Sequence, residues 1–214
     1  MSLAGWGAPE LLALALAFAL GSVLGGQIVG HLRALNLRES GSGNLGATNM
    51  LRAGGTGPAL LVLAIDAGKG ALASSVIPLW LPQQALLPYA CGLAAVLGHV
   101  YSPLAGGRGG KGAATALGSA VVLLPAGVGF AAAGFALLLI ASGYVGLSMV
   151  CASLLLLLHT TCFSAHGFWS PAGAYAAALA LLLLWTHRHN LARNLAGREN
   201  RFERVMLLRR RSRD

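Results

Sequence analysis

Residues 113–141 carry no Asp, Glu, Lys or Arg. An α-helix rises about 1.5 Å per residue, so one straight helix over this run would be roughly 43 Å long. The hydrocarbon core of a bilayer is about 30 Å thick. The run is long for one crossing and short for two. Pro125-Ala126-Gly127-Val128-Gly129 stands in its middle, and Pro with Gly interrupts a helix. Two short helices are therefore expected there. The remainder of the chain agrees with a membrane solvent. Hydrophobic residues make up 56% and charged residues 10%, against about 25% charged in a soluble domain. So few charges cannot cover a water-facing globule, which excludes the soluble enzyme classes. Disorder is excluded as well, because it needs low hydrophobicity and high charge.

Further apolar runs cover residues 9–30, 57–80, 85–101, 145–163 and 172–186. The first holds Gly21-xxx-Gly25 and Gly26-xxx-Gly30, spacings that let helix backbones approach closely. Trp80 is expected at an interface. Residues 1–10 contain no Lys or Arg, so they lack the basic region of a signal peptide, and the first run is read as a retained span. Nine arginines follow position 187: Arg188, Arg193, Arg198, Arg201, Arg204, Arg209, Arg210, Arg211 and Arg213. Positive charge stays inside. A start without positive charge outside and a basic end inside require an odd number of crossings. Counting 113–141 once gives six crossings; counting it twice gives seven. Seven also puts the basic segments 31–55 and 102–112 inside, and leaves the loops near 81–84 and 164–171, free of Lys and Arg, outside.

The expectation is an all-α integral membrane protein of seven transmembrane helices, two of them short, with the N-terminus outside and the C-terminus cytoplasmic. One membrane domain spans 1–200, and a basic cytoplasmic tail covers 201–214. That tail follows an apolar helix, so it reads as an anchor and no nucleic-acid partner is expected. Cys91, Cys151 and Cys162 sit in apolar stretches without ligand spacing, so neither a disulfide framework nor a metal site is indicated.

Polar groups able to do chemistry fall in three islands, and the topology places all three on the cytoplasmic face. The first is Gly41-Ser42-Gly43-Asn44-Leu45-Gly46-Ala47-Thr48-Asn49-Met50-Leu51-Arg52. It contains a literal GxGxxG, but a dinucleotide site needs a strand and a βαβ unit, and neither is present. The loop keeps its physics all the same. Glycines let successive N–H groups point at one anion, Ser42, Asn44, Thr48 and Asn49 add short donors, and Arg52 adds a planar charged fork. A plain glycine-rich turn is the alternative.

The second island is Gly98-His99-Val100-Tyr101-Ser102-Pro103 followed by Gly106-Gly107-Arg108-Gly109-Gly110-Lys111-Gly112-Ala113-Ala114-Thr115. It resembles a P-loop and fails as one, because Ala105 takes the first Gly position and Gly112 replaces the Ser/Thr. What remains is free glycine backbone and Lys111 at a helix start near Ala113, an arrangement that binds anions. His99 reads more readily as a structural hydrogen-bonder than as a base.

The third island runs from His187-Arg188-His189-Asn190 to Arg198-Glu199, just past the expected end of the last helix. A snorkelling anchor would explain its arginines but not Asn190 or Glu199. Asp66 and Lys69 lie three residues apart inside the second span. Charges there are costly, so a local pair bonding the first glycine loop is expected.

Taken in order, GSGNLGATNMLR, DAGKG, GHVY…GGRGGKGAAT and HRHNLARNLAGRE resemble the successive motifs of the PlsY family of bacterial acyl-phosphate:glycerol-3-phosphate acyltransferases, over about residues 38–200. The resemblance implies a seven-helix bundle in the bacterial inner membrane with its active site facing the cytoplasm. It implies acyl transfer from long-chain acyl phosphate, supplied by a phosphate acyltransferase, to glycerol 3-phosphate. The product is lysophosphatidic acid, an early intermediate of phospholipid synthesis, and no cofactor is implied. On this resemblance Ser42, Arg52, Lys111, His187 and Asn190 hold glycerol phosphate and the reacting centre. Gly41, Gly43, Asn44, Gly46, Thr48 and Asn49 would cradle a phosphoryl group. Arg108, Gly109, Gly110, Lys111 and Gly112 would form the second phosphate loop, and the acyl chain would lie among apolar helices beside membrane lipid. Ser42, His187 or a substrate phosphate could take the hydroxyl proton. Asp66, Lys69, His99, Arg188 and Glu199 would support the site, with Glu199 reaching Arg188 or the His187 ring. Ser102, Gly107-Arg108 and Asn194 depart from the usual family residues.

Acyl-CoA-using glycerolipid acyltransferases carry His-x4-Asp. None of the six histidines, at 31, 99, 159, 166, 187 and 189, has Asp five residues on. Acyl phosphate, whose leaving group is already good, is the expected donor. An anion transporter would also use glycine loops and arginines. It predicts polar groups through the midplane and repeated halves, whereas these groups cluster at one face.

Overall fold

The computed structural model describes residues 6–202 and Met206. Arg204, Arg209, Arg210, Arg211 and Arg213 of the expected basic tail lie outside the described residues. All regular structure among the described residues is helical, and the chain divides into two compact units, up to Leu123 and from Leu124 onward.

The first unit contains α1 (Ala8–Ser22), α2 (Gly25–Leu32), α3 (Ala47–Gly54), α4 (Thr56–Ser75), α5 (Leu87–Val100) and α6 (Ala113–Leu123). Helix α1 starts where Pro9 presets the first turn and the Glu10 carboxylate accepts the Gly7 N–H at 2.8 Å. Glu10 also accepts from Gln84 Nε2 at 3.0 Å, just before α5. At the other end Ser102, just after α5, donates its hydroxyl to the Ser22 carbonyl at 2.6 Å. Helices α1 and α5 therefore run parallel. Glycine makes the contact close. A methyl on Gly21 would overlap the Ala95 backbone, and one on Gly98 would overlap the Phe18 carbonyl. Helices α4 and α6 meet in the same way, Gly70 on Thr115 and Gly118 on Ala67. Lipid gives no hydrophobic drive between helices, so this backbone-on-backbone packing carries much of the association.

The expected first span is broken. Val23 and Leu24 are extended, and α2 starts afresh at Gly25. A break inside a membrane exposes backbone groups that lipid cannot satisfy. Here α4 satisfies them: Asp66 Oδ1 accepts the Gly25 N–H at 3.0 Å, and Lys69 Nζ donates to the Val23 carbonyl. Glycine pairs seen in the sequence fit this path, since a methyl on Gly26 would overlap the Leu45 backbone.

The charge-free run 113–141 does divide, but at Leu124, not at the glycines. Pro125 is the first residue of α7 (Pro125–Ser142), a position where its missing N–H costs nothing, and Gly127 and Gly129 lie inside that helix. Only α6, with 11 residues, is short; α7 has 18 and can cross a bilayer. The expectation of two short middle helices is corrected to one.

The second unit contains α7, α8 (Val145–Phe163) and α9 (Pro171–Leu195), with α8 packed against both of the others. Gly143, at φ +73°, makes the tight turn from α7 to α8. Ser170 caps α9 by accepting the Gly173 N–H at 2.9 Å. Helix α9 does not stop before His187 as expected; it continues to Leu195. Charges mark where a helix leaves the apolar layer, but His, Arg and Asn do not end one. Gly197, at φ +67°, does end it, with Arg198 N–H on the Arg193 carbonyl at 2.8 Å. Among the described residues, four segments are long and apolar enough to cross a membrane: Ala8–Leu32, Thr56–Trp80, Pro125–Ser142 and Val145–Phe163.

Candidate active site

The first island is a closed loop leading into α3, which the expected stretch 31–55 contains as an added helix. Gly41 and Gly43 adopt left-handed φ values of +56° and +70°, as a nest of N–H groups requires. Asn49 holds the loop shut. It is 1% exposed; its Oδ1 accepts the Ser42 N–H at 2.9 Å, and its Nδ2 faces the carbonyls of Leu37, Ser40 and Asn44 at 3.1, 2.9 and 2.9 Å. The side chain expected to donate to an anion thus donates to its own loop. Ser42 is exposed, Asn44, Gly46 and Thr48 are half-buried, and Arg52 lies exposed in the last turn of α3.

The second island folds back on the end of α5. Gly109 N–H donates to the Val100 carbonyl at 2.9 Å and Gly110 N–H to the His99 carbonyl at 3.1 Å. These amides are engaged, which corrects the expectation of free glycine N–H groups. They shape the loop, and Gly112, at φ +81°, turns it into α6. Arg108 is exposed and Lys111 half-buried beside that helix start. The segment just before the first island touches the second, because the Arg38 guanidinium donates to the Arg108 carbonyl.

Beneath the second island lies a buried cluster. Asp66 and Lys69 are 1% and 4% exposed and pair at 2.9 Å, as their spacing predicts. They serve the α1–α2 break instead of the first glycine loop. His99, 2% exposed, sits with Nδ1 2.8 Å from Lys69 Nζ and 3.5 Å from Asp66 Oδ1.

In the second unit His187 and Asn190 are buried one turn apart on α9. His187 Nδ1 lies 2.9 Å from the Leu183 carbonyl, so Nδ1 carries the hydrogen and Nε2 is the ring's basic atom. Asn190 Nδ2 donates to Glu199 Oε1 at 2.7 Å, and Arg193 Nε donates to Glu199 Oε2 at 2.7 Å. Glu199 therefore supports Asn190, not Arg188 or the His187 ring. Arg188 lies over the exposed Trp185 ring at 3.8 Å and donates to its carbonyl, the posture of an interfacial anchor.

Three contributors escaped the sequence reading. Arg38 was only one basic residue among several, with no motif around it. Tyr144 and Arg201 form a strap: Arg201 Nε donates to the Tyr144 hydroxyl at 2.8 Å, and Phe202 N–H donates to the Gly143 carbonyl at 2.8 Å. No spacing rule connects residues so far apart. A cleft of about 380 Å³ opens beside the first island, lined by Gln27, His31, Asn36, Arg38 and Leu45 among others.

Known proteins share this chain's sequence pattern and fold. The family model described as glycerol-3-phosphate acyltransferase matches residues 11–197. A glycerol-3-phosphate acyltransferase of Synechococcus sp. (strain CC9902) is 40% identical over 199 residues, 90% of this chain and 94% of that protein. One from Prochlorococcus marinus (strain MIT 9301) is 36% identical over 198 residues, covering 92% and 99%. Among solved structures, the crystal structure of PlsY, an integral membrane glycerol 3-phosphate acyltransferase, in its glycerol 3-phosphate form superposes with TM-score 0.84 at 32% identity, covering 91% of this chain and 96% of that one. Its lysophosphatidic acid form gives 0.82 at 31% identity. By the match of its sequence and of its fold, the chain belongs to the glycerol-3-phosphate acyltransferase family, as an integral membrane acyltransferase of the PlsY type.

Proposed function

We propose that this acyltransferase takes its acyl group from acyl phosphate and releases lysophosphatidic acid and inorganic phosphate. A glycerol 3-phosphate hydroxyl oxygen attacks the acyl carbon, and the bond from that carbon to the phosphate oxygen breaks. The hydroxyl proton ends on the released phosphate, whatever group carries it first. Acyl phosphate is a mixed anhydride, so the protein's tasks are positioning, charge neutralisation and stabilising the oxyanion. The family resemblance assigns Ser42, Arg52, Lys111, His187 and Asn190 to glycerol phosphate and the reacting centre. Gly41, Gly43, Asn44, Gly46 and Thr48, with Arg108 and Gly112, shape or face the phosphate loops.

The observation that carries this reading is the state of His187 and Asn190. Both are buried, on one helix face, with the ring tautomer set by the Leu183 carbonyl and the amide held by Glu199. Polar side chains held so firmly within a helix suit a reacting centre better than a lipid anchor. Purified protein supplied with glycerol 3-phosphate should form lysophosphatidate from palmitoyl phosphate and none from palmitoyl-CoA. Efficient turnover of the thioester would refute the donor.

The proposed topology has seven crossings in a bacterial inner membrane, with the sites on the cytoplasmic face. Helices α1 and α2 form one bent crossing, α3 lies outside the core, and α4 to α9 make the other six. Parallel α1 and α5, with α4 between them in sequence, support the alternation of the first three. In a variant lacking Cys91, Cys151 and Cys162, single cysteines at Gln83 and Arg108 should label from opposite sides of intact cells. Labelling from one side would overturn the arrangement.

A further inference from the structure

The cluster of Asp66, Lys69 and His99 serves more than the helix break. The imidazole of His99 is wedged between that ion pair and the second glycine loop. One edge is fixed by Lys69, whose ammonium has only hydrogens to offer, so Nδ1 accepts and Nε2 carries the ring hydrogen. The other edge faces Gly110: a Cβ on that residue would fall on Nε2, with Cδ2 and Cε1 close behind. The main chain of His99 holds the same residue, accepting the Gly110 N–H at 3.1 Å. Lys111 follows directly. The ring cannot swing aside, because it is 2% exposed and anchored at Nδ1.

We propose that His99 is a positioning residue for acyl transfer: its ring is the wedge that sets where the Gly109–Lys111 backbone stands, and Asp66 and Lys69 set the wedge. This rests on the reading that Lys111 meets a substrate phosphate. Complementary size changes can test it, since a methyl at position 110 and the far side of the ring compete for the same space. Asn at position 99 keeps a polar atom opposite Lys69 and removes the atoms that face Gly110.

Steady-state kinetics in glycerol 3-phosphate would be measured for Gly110→Ala, His99→Asn, the double variant, Gly109→Ala, Gly109→Ala with His99→Asn, and Lys111→Ala, each beside its melting temperature. Gly110→Ala should raise KM at least tenfold, and the double variant should return to within about threefold of His99→Asn alone, the non-additivity expected of residues in contact. The same His99→Asn change should not rescue Gly109→Ala, because a methyl there meets the His99 carbonyl, which every residue carries. A double variant as impaired as the product of its singles, or equal rescue of both glycines, would overturn the wedge. Should His99→Asn fail to fold, Gly110→Ala alone decides: a KM within twofold of the parent overturns it. Normal kinetics in Lys111→Ala would sink the phosphate reading itself, and so separates the two failures.

Discussion

Asn49 offers the sharpest test of what the first island does. Its sequence context made it one anion donor among four. In the structure it closes the loop that presents Ser42, with one bond accepted and three carbonyls sharing two N–H hydrogens. Asn49→Ala removes three hydrogen bonds' worth of interaction in a site 1% exposed. At about 0.5–1.5 kcal/mol each, the loss centres near 3 kcal/mol. For a chain of this size that lowers the melting temperature by roughly 6–12 °C. Losing the loop's closed form should also cost at least about tenfold in kcat/KM, the equivalent of about 1.4 kcal/mol. Asn49→Asp sharpens the test. It keeps the acceptor for Ser42 but turns an oxygen toward three carbonyls, so it should destabilise as much as Ala despite nearly identical shape. Thermal unfolding in detergent beside kinetics separates the alternatives. A normal melting temperature with lost activity, in both variants, would show that Asn49 acts on substrate and that the loop-closing argument is wrong.

Other outcomes follow from the same geometry. Lys111→Ala and Arg52→Ala should fold normally and lose at least about tenfold in activity, since a charge-assisted contact is worth roughly 1.5–3 kcal/mol; near-parent kinetics of either would remove it from the phosphate site. Lys111→Arg should rescue only in part, because a broad fork replaces a point charge. Glu199→Ala should lower melting temperature and activity together, whereas Glu199→Gln, which still accepts from Asn190, should lose less; equal losses would say that the Arg193 pair matters more than the amide. Arg38→Ala should raise KM for glycerol 3-phosphate about two- to fivefold, as an exposed charged bond between two loops is released, and an unchanged KM would make the contact incidental.

The membrane class was legible because apolar runs and sparse charge leave no soluble alternative. Helix α8 matched its expected range, 145–163, residue for residue, since nothing inside it conflicts with a span. Failures came where backbone demand decides. The α1–α2 break has no Pro to announce it; it exists because Asp66 and Lys69 stand ready to satisfy Gly25 and Val23. Conversely, His187 and Arg188 look like a helix end, but α9 runs on until a glycine can take a left-handed turn. Motif positions read well and partners read poorly. Asp66 and Lys69 pair as their spacing implies, whereas Glu199 bonds Asn190 and Arg193, a choice set by the Gly197 turn that brings the chain back. Arg38 and Tyr144 carry no pattern that a single sequence exposes.

The scaffold limits which polar groups can do chemistry. In lipid every broken helix and every turn must find its own hydrogen-bond partners. Asn49, Ser102, Asp66 and Lys69 are committed in this way, each to main-chain atoms of a neighbouring segment. A motif rich in polar residues therefore overstates the size of the reacting site. Of the cationic side chains in the glycine-rich islands, Arg52 and Arg108 are exposed and Lys111 is half-buried. An activated donor asks for little more than that: charge opposite two phosphates and a hydroxyl held in line. On this reasoning the scaffolding residues should respond to substitution through melting temperature and KM together. The cationic ones should respond through kinetics at constant melting temperature, and a substitution series scored on both axes should separate into those two groups.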